Sequence, residues 1–400
     1  MHFLILTQYF PPEIGAPQIR LMAISRELSR RNHSVTVVTA FPNYPLGRVF
    51  SGYRNQLMRR DTVDGISTIR TWIFPATGRS VVRRLASYWS FTMSSLFGCL
   101  RAGRPDLLIV ESPPLFLGIT AYAVSRLRRR PFVLYVSDLW PESAKEMGII
   151  RNRFFLAVAT ALERFLYRKA HRVAVVTEGI GEQVVKTGCP AERVVILPNG
   201  ADTSIFRRVN EPAVPEINPN QITFLFAGTH GYAQGLDVLL ETAELLRDRP
   251  EIAILLMGDG PDKGRLQQEA SRRKLHNVRF LDSRPNRDMP IFYSASRASI
   301  VPLRRLSLFR SARPSKILPS LACETPVIFC GQGETAELLT HHSCGIVVSP
   351  EAPSELEAAI RALATDQTRA KELGRNGRLL VEQQFRWERI VGGFLDNLSQ

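Results

Sequence analysis

Short apolar runs alternate along the whole chain with longer stretches in which apolar residues return at helical spacing. Val35–Thr39, Ile66–Thr71, Leu107–Val110, Phe132–Val136, Val173–Val176 and Val194–Leu197 read as strands in the first half. The theme repeats at Ile222–Phe226, Ile252–Met257, Val278–Leu281, Ala298–Val301, Pro326–Phe329 and Gly345–Val348, and helices run from Ser354 to about Gln400. Strands separated by helices predict an α/β chain with largely parallel sheets and right-handed crossovers. Asn210–Asn220, with Pro212, Pro215 and Pro219 among polar residues, follows neither period and reads as a linker.

Two stretches about 220 residues apart open alike. Phe3–Thr7 leads into Pro11-Pro12-Glu13-Ile14-Gly15-Ala16-Pro17 and a helical pattern from Gln18. Ile222–Phe226 leads into Gly228-Thr229-His230-Gly231 and a helical pattern from Leu236. Each reads as a buried strand, a glycine-bearing loop and a helix, the start of a nucleotide-binding α/β domain. Neither is a full G-x-G-x-x-G, and each taken singly also suits an ordinary βα turn. Their repetition at domain spacing points to two similar domains with a cleft between them.

Length and composition agree with this. The 400 residues, 44% of them hydrophobic, suffice for two cores of about 200 residues each. No run of 18 apolar residues predicts a spanning helix, and the N-terminus shows no basic leader or cleavage site of a secretory signal. Five scattered cysteines, at 99, 189, 323, 330 and 344, have no metal-ligand spacing and read as reduced core thiols of a cytoplasmic protein.

The net charge of +15 is uneven: residues 1–200 hold 27 Lys and Arg against 13 Asp and Glu, whereas residues 201–400 hold 25 against 24. A basic half suits nucleic acid, an anionic membrane or a phosphorylated substrate. Within it, Leu85, Tyr88, Trp89, Thr92, Met93, Leu96 and Leu100 recur near helical spacing among Arg79, Arg83, Arg84, Arg101 and Arg104. Phe154, Phe155, Val158, Leu162, Phe165 and Leu166 do so among Arg151, Arg153, Arg164, Arg168, Lys169 and Arg172. Aromatic apolar faces edged with basic residues fit helices resting on anionic lipid, and equally fit core-facing helices with a solvated edge. Aromatic and aliphatic residues alternate as an amphipathic face requires, and no nucleic-acid module is visible.

Candidate chemistry concentrates in the second half. Gly228, Gly231 and Gly235 leave backbone uncovered where a helix begins, and a helix N-terminus attracts a diphosphate. Arg313-Pro314-Ser315-Lys316 precedes the helical run Ile317–Cys323: Ser315 can cap it, and Lys316 can reach a phosphate oxygen as a point charge. Gly331-Gln332-Gly333-Glu334, with Glu337, follows a strand and can offer carboxylates to sugar hydroxyls.

The motifs also resemble a family. In order they are Phe-Pro-Pro-Glu-Ile-Gly near the N-terminus, His33–Thr39, Asp138-Leu139-Trp140-Pro141-Glu142-Ser143, Leu197-Pro198-Asn199-Gly200-Ala201-Asp202, Ala227-Gly228 with Gln234-Gly235-Leu236-Asp237, Met257-Gly258-Asp259-Gly260, and Pro314-Ser315-Lys316. Together they resemble glycosyltransferase family 4, most nearly its bacterial fucosaminyltransferase-like and colanic-acid-type branch.

The resemblance implies a GT-B fold of two Rossmann-like domains facing across a cleft. Residues 1–200 would form a basic, membrane-facing acceptor domain, and 201–384 a nucleotide-sugar donor domain. A helix in 385–400 would cross back to the first. It implies metal-independent transfer with retention and no cofactor. Carried onto this chain, Gly15 approaches the donor phosphate or sugar, Gly228, Gly231 and Lys316 hold the diphosphate, and His230, Gln234 and Ser315 also bind the donor. Arg284 borders the base, and Glu334 with Glu337 sits near the donor sugar and ribose. Lys316, Asp138 and Glu334 carry catalysis, with Lys316 stabilising the leaving diphosphate.

Four positions depart from the family's pattern: Ser311 and Pro319 stand where many members carry a glutamate pair, Gln234 where a basic residue is usual, and Ser137 where a histidine often stands beside the aspartate. The expected activity is transfer of a sugar from a nucleotide donor, UDP-linked, to a lipid-linked (polyprenyl-diphosphate) or growing glycan in envelope polysaccharide synthesis. The expected location is the inner face of the cytoplasmic membrane. A nucleotide-sugar epimerase and a silent sugar-nucleotide-binding subunit are the alternatives, and no nucleic-acid partner is expected.

Overall fold

Runs such as Phe3-Leu4-Ile5-Leu6, fully buried on both faces, are stable only in the middle of a sheet covered by helices on either side. The computed structural model describes residues 1–76, 80–148, 150 and 152–399, and builds two such sheets. The first contains β1 (His2–Leu6), β2 (Ser34–Ala40), β3 (Met58–Val63), β4 (Ile66–Thr71), β5 (Leu107–Ser112), β6 (Phe132–Val136), β7 (Arg172–Val175) and β8 (Val194–Ile196), in the order β3-β4-β2-β1-β5-β6-β7-β8. The second contains β9 (Ile222–Ala227), β10 (Ile252–Met257), β11 (Val278–Leu281), β12 (Ala298–Pro302), β13 (Val327–Cys330) and β14 (Gly345–Val348), in the order β11-β10-β9-β12-β13-β14. All pairings are parallel except β3 with β4. The strand order reverses beside β1 in one sheet and beside β9 in the other, so both glycine loops of the two matching starts leave at a topological switch point.

The apolar pattern did not mark β3. Its sequence Met58-Arg59-Arg60-Asp61-Thr62-Val63 is charged because it is the edge, where charge discourages pairing with another chain.

The chain forms two compact units, Met1–Pro198 with Trp387 onward, and Asn199–Arg386. Asn210–Asn220 is therefore not a linker. Val214 is buried in the second unit's core, and Glu216 takes Arg279 on its carbonyl (3.2 Å) and Arg284 on its carboxylate (2.5 Å). Prolines here shape an irregular covering segment. The terminal helix Trp387–Ser399 places Trp387, Ile390, Val391 and Phe394 in the first unit's core and is tied to Arg31 through the Glu388 carbonyl (2.7 Å).

A charged group lies within the first core. Arg20 donates to Glu111 at 2.6 Å, Thr7 donates to the other Glu111 oxygen at 2.6 Å, and the guanidinium lies 5.0 Å from the Tyr135 ring centre. Both charges are nearly inaccessible to water, so removing one leaves the other desolvated and uncompensated. Glu111→Ala is expected to cost about 3–5 kcal/mol, read as a lower urea midpoint, with Glu111→Gln recovering part of it. An unchanged midpoint would mean that the ion pair contributes nothing.

Candidate active site

In the second unit, the loops leaving β9 and β10 are welded backbone to backbone. The Gly228 N–H donates to the Met257 carbonyl (2.9 Å), His230 N–H to Asp259 (2.9 Å) and Gly258 N–H to Leu281 (3.0 Å). Gly258 and Gly260 have φ of +143° and +156°, and a Cβ on either would collide with the backbone of Gly228 or His230. Lys263 closes this corner, donating to the Gly258 carbonyl (3.0 Å) and Asp282 (2.6 Å).

Onto this platform comes Lys316. Its amine lies 4.2 Å from the Phe226 ring centre, and a Cβ on Gly228 would lie 2.7 Å from Nζ. Only glycine at 228 leaves room for it. Part of the residue still reaches the surface, yet the amine is desolvated, and desolvation pulls its pKa down to about 7. Among the described residues no carboxylate pairs with it.

The other expected donor residues divide. Gln234 sits in a short turn (Tyr232–Gln234) with its amide oxygen folded back over Gly231. Ser315 does not cap the following helix: Ile317–Ala322 starts from Lys316 without a side-chain cap. The helix that follows Gly235 starts at Asp237, and the N–H groups of Gly228 and Gly235 are already spent on backbone carbonyls, so they are not open to a phosphate.

His230 is fully buried between Phe226 and Phe280, with ring centres 5.6 and 6.2 Å away. Burial first, then Lys263 and Lys316, push its imidazole down to about 4. It is a neutral wall of the platform, and both of its ring nitrogens are buried without a hydrogen-bond partner among the described residues. Glu334 accepts from Arg313 at 2.5 Å at the start of the helix Glu334–His341, so its carboxylate is engaged, and Glu337 is exposed on the same first turn. Arg284 is held by Glu216. Ser311 donates to the Leu308 carbonyl (3.2 Å), and Pro319 lies in the short helix, so no carboxylate stands at either position.

In the first unit, Gly15 begins the helix Ala16–Arg30, whose first turn has no acidic residue and no side-chain cap. A Cβ at Gly15 would meet the Gln18 amide oxygen at 2.7 Å. The loop before it is held by Glu13, which sequence reading passed over. Its carboxylate accepts N–H bonds from Asn43 and Tyr44 (2.8 Å each) and Phe10 (3.2 Å), and burial still raises its pKa to about 7. Buried Arg70 donates to the Pro11 carbonyl at 2.6 Å. Asp138, at the end of β6, receives hydrogen bonds from Ser143 and the Leu139 N–H, and burial raises its pKa. It lines a cavity of about 150 Å³ together with Arg84, Tyr88 and Trp140.

Phe226, Gly258, Gly260, Arg84 and Tyr88 were also missed as parts of these sites. Met257-Gly258-Asp259-Gly260 carried a usable signal, two glycines straddling an aspartate at a strand end. Phe226 carried none, because in sequence it is one more strand apolar. Among the described residues no group of His, Cys, Asp and Glu could hold a metal ion, and no helix is long and apolar enough to cross a membrane.

Fold and site together define a chain of two α/β units with a desolvated lysine packed on a glycine at a switch point. Comparison with known proteins gives the family. A Glycosyl transferase 4-like domain model matches residues 15–200, and a Glycosyl transferases group 1 model matches 208–380. WcaI of Escherichia coli K12, named for a glycosyl transferase of colanic acid biosynthesis, is 26% identical over 349 residues, covering 84% of this chain and 85% of WcaI. Among solved structures, sucrose-phosphate synthase of Thermosynechococcus elongatus superposes with a TM-score of 0.81 at 17% identity, over 100% of this chain and 98% of that one. Anabaena HepE, in complex with UDP and glucose, gives 0.73 at 18%, over 100% and 99%. The chain belongs to glycosyltransferase family 4, with the GT-B fold and glycosyltransferase activity.

Proposed function

We propose that this enzyme transfers a sugar, with retention, from a UDP-linked donor to a lipid-linked or growing glycan in envelope polysaccharide synthesis. The second unit binds the donor and the first binds the acceptor. The observation that carries this reading is Lys316: a desolvated amine without a carboxylate, packed on a glycine at a switch point, is satisfied by a phosphate. The acceptor hydroxyl oxygen forms the new bond to the anomeric carbon. The bond from that carbon to the β-phosphate oxygen breaks, the electron pair leaves with the diphosphate, and the hydroxyl proton passes to the departing phosphate.

Lys316 stabilises the charge that develops there. Gly15, Gly231 and Ser315 bring backbone and hydroxyl toward the donor, Arg284 flanks the base, Glu334 positions Arg313, and Glu337 meets sugar hydroxyls. Asp138 lines the acceptor side of the cleft. That HepE was solved with UDP and that WcaI is named for colanic acid biosynthesis support the donor and the pathway.

A peripheral site on the inner face of the membrane is supported by two helices built inside out. Val81–Arg101 buries Ser87, Thr92, Ser95, Gly98 and Cys99 alongside Phe91, while Val82, Trp89, Met93 and Phe97 are exposed. Arg153–Lys169 buries Ala159, Glu163, Leu166 and Tyr167 and exposes Phe154, Val158 and Phe165. A core-facing helix would do the reverse. The helix Leu117–Arg128 touches both. Of the flanking arginines, Arg79 and Arg151 lie outside the described residues.

The full chain should bind vesicles containing anionic lipid, lose most of that binding at 0.5 M salt, and lose it again in Trp89→Ser/Phe97→Ser. Equal binding to neutral vesicles would remove the electrostatic part. Incubation with a panel of nucleotide sugars, with and without polyprenyl-diphosphate-linked sugars, tests the transfer itself. Nucleotide release that no acceptor accelerates would overturn the acceptor assignment.

A further inference from the structure

The cavity beside Asp138 is not needed to seat a sugar, because most of its wall is apolar. Leu85, Phe116, Trp140, Ala144 and Met147 close it, and Arg84 stands at its polar edge. At about 150 Å³ it matches an engineered apolar cavity that accommodates benzene, so it has room for a branched five-carbon unit. The wall is continuous with the exposed apolar face. Exposed Trp89 stacks on Phe116 (ring centres 4.9 Å), Phe116 meets Trp140 (5.7 Å), and Trp140 meets Phe155 of the second inside-out helix (6.2 Å). Arg84 donates to the Tyr88 hydroxyl (3.2 Å), and no carboxylate among the described residues pairs with it. A cation at the mouth of an apolar pocket, on a unit with a large excess of Lys and Arg, complements an anionic head joined directly to a hydrocarbon chain.

We propose that this cavity receives the first isoprene unit of a prenyl-diphosphate-linked acceptor, with Arg84 on the diphosphate. The inference rests on the acceptor reading above and makes it specific: the enzyme recognises the lipid next to the phosphate as well as the glycan. The aromatic track from Trp89 then guides the chain out of the bilayer, and Phe116 and Trp140, in edge-to-face contact with each other, wall the pocket that takes the planar double bond.

The test compares three acceptors with the same sugar diphosphate: one carrying a farnesyl chain, one a saturated straight chain of equal carbon number, and one a methyl group. Wild type is expected to show at least a tenfold higher kcat/KM for the farnesyl acceptor than for the straight-chain one in detergent, and a larger gap to the methyl one. Ala144→Trp, which fills the cavity, should raise KM for the farnesyl acceptor at least tenfold more than for the methyl one. Arg84→Gln should raise KM for all three, and Arg84→Lys should restore part of the loss. Farnesyl diphosphate alone should quench tryptophan fluorescence at concentrations where dodecyl phosphate does not.

The wild-type series stands even where Ala144→Trp fails to fold. Transfer to all three acceptors with equal efficiency would overturn this inference and leave the proposed function intact. No transfer to any of them, with the donor still bound, would overturn both.

Discussion

Lys316→Ala should lower kcat at least tenfold, and by about 10²–10³ if the amine is the principal group on the leaving diphosphate. Donor binding should weaken as well. Lys316→Arg is not expected to rescue the loss: the amine is fitted against the Cα of Gly228, and a planar guanidinium needs more room. The pH dependence follows from the desolvated amine. In the free enzyme it titrates at about 7, so only above that pH is much of it neutral. A bound diphosphate favours the ammonium and raises the pKa, so binding must take up a proton where the free amine is neutral.

Calorimetry in two buffers of different ionisation enthalpy should show uptake approaching about one proton at pH 8 and little at pH 6. Affinity should fall about tenfold per pH unit above 7. A nucleotide sugar is the right probe because its diphosphate diester does not titrate in this range. Lys316→Ala should abolish the uptake. Near wild-type turnover in that variant, or uptake that survives it, would remove Lys316 from the phosphate.

Gly258→Ala should do the most damage to the fold of the second unit. At φ +143° an L side chain is strained, and the new Cβ would overlap the Gly228 carbonyl, which has no slack because the Gly228 N–H is bonded to Met257. The expected cost is about 3 kcal/mol or more, read as a lower urea midpoint for this unit. At temperatures where the protein remains folded, turnover should drop at least tenfold, because displacing Gly228 moves the surface on which Lys316 rests. Gly264→Ala is the control. It lies in the helix Lys263–Arg272 with nothing within 4 Å of the added Cβ, so it should be neutral or gain up to about 1 kcal/mol from helix propensity. Equal effects at the two positions would show that close backbone packing is not what Gly258 provides.

Particular residues show how far sequence reading reached. Strand cores were legible because burial on both faces demands unbroken apolar runs, as at Phe3–Leu6 and Ile252–Met257. β3 was not, because an edge strand is selected to look polar. The segment around Pro212–Pro219 was misread because proline marks irregular backbone whether that backbone joins two units or covers one. Lys316 was legible as a lysine just before a helical run, but not its desolvation against Phe226 and Gly228, which are distant in sequence. The burial of His230 was not legible, because sequence does not show whether a loop residue points outward. Phe226, four residues before it, and Phe280, fifty after it, enclose it. The helices from Val81 and Arg153 were legible as amphipathic, but not as to which face is buried, since a stripe of large apolar residues looks the same toward a core or toward lipid.

By itself the sequence determined the two α/β domains, the two matching strand–loop–helix starts, the family and the basic character of the first half. All of these follow from local periodicity, composition and short motifs. The tertiary structure decided which groups remain unsatisfied. It left Lys316 without a carboxylate, engaged Glu334 with Arg313, closed His230 off and joined Trp89 to a cavity through Phe116 and Trp140. Whether a charge is free or spent depends on desolvation and on partners brought together by the fold, and neither is encoded at the residue's own position.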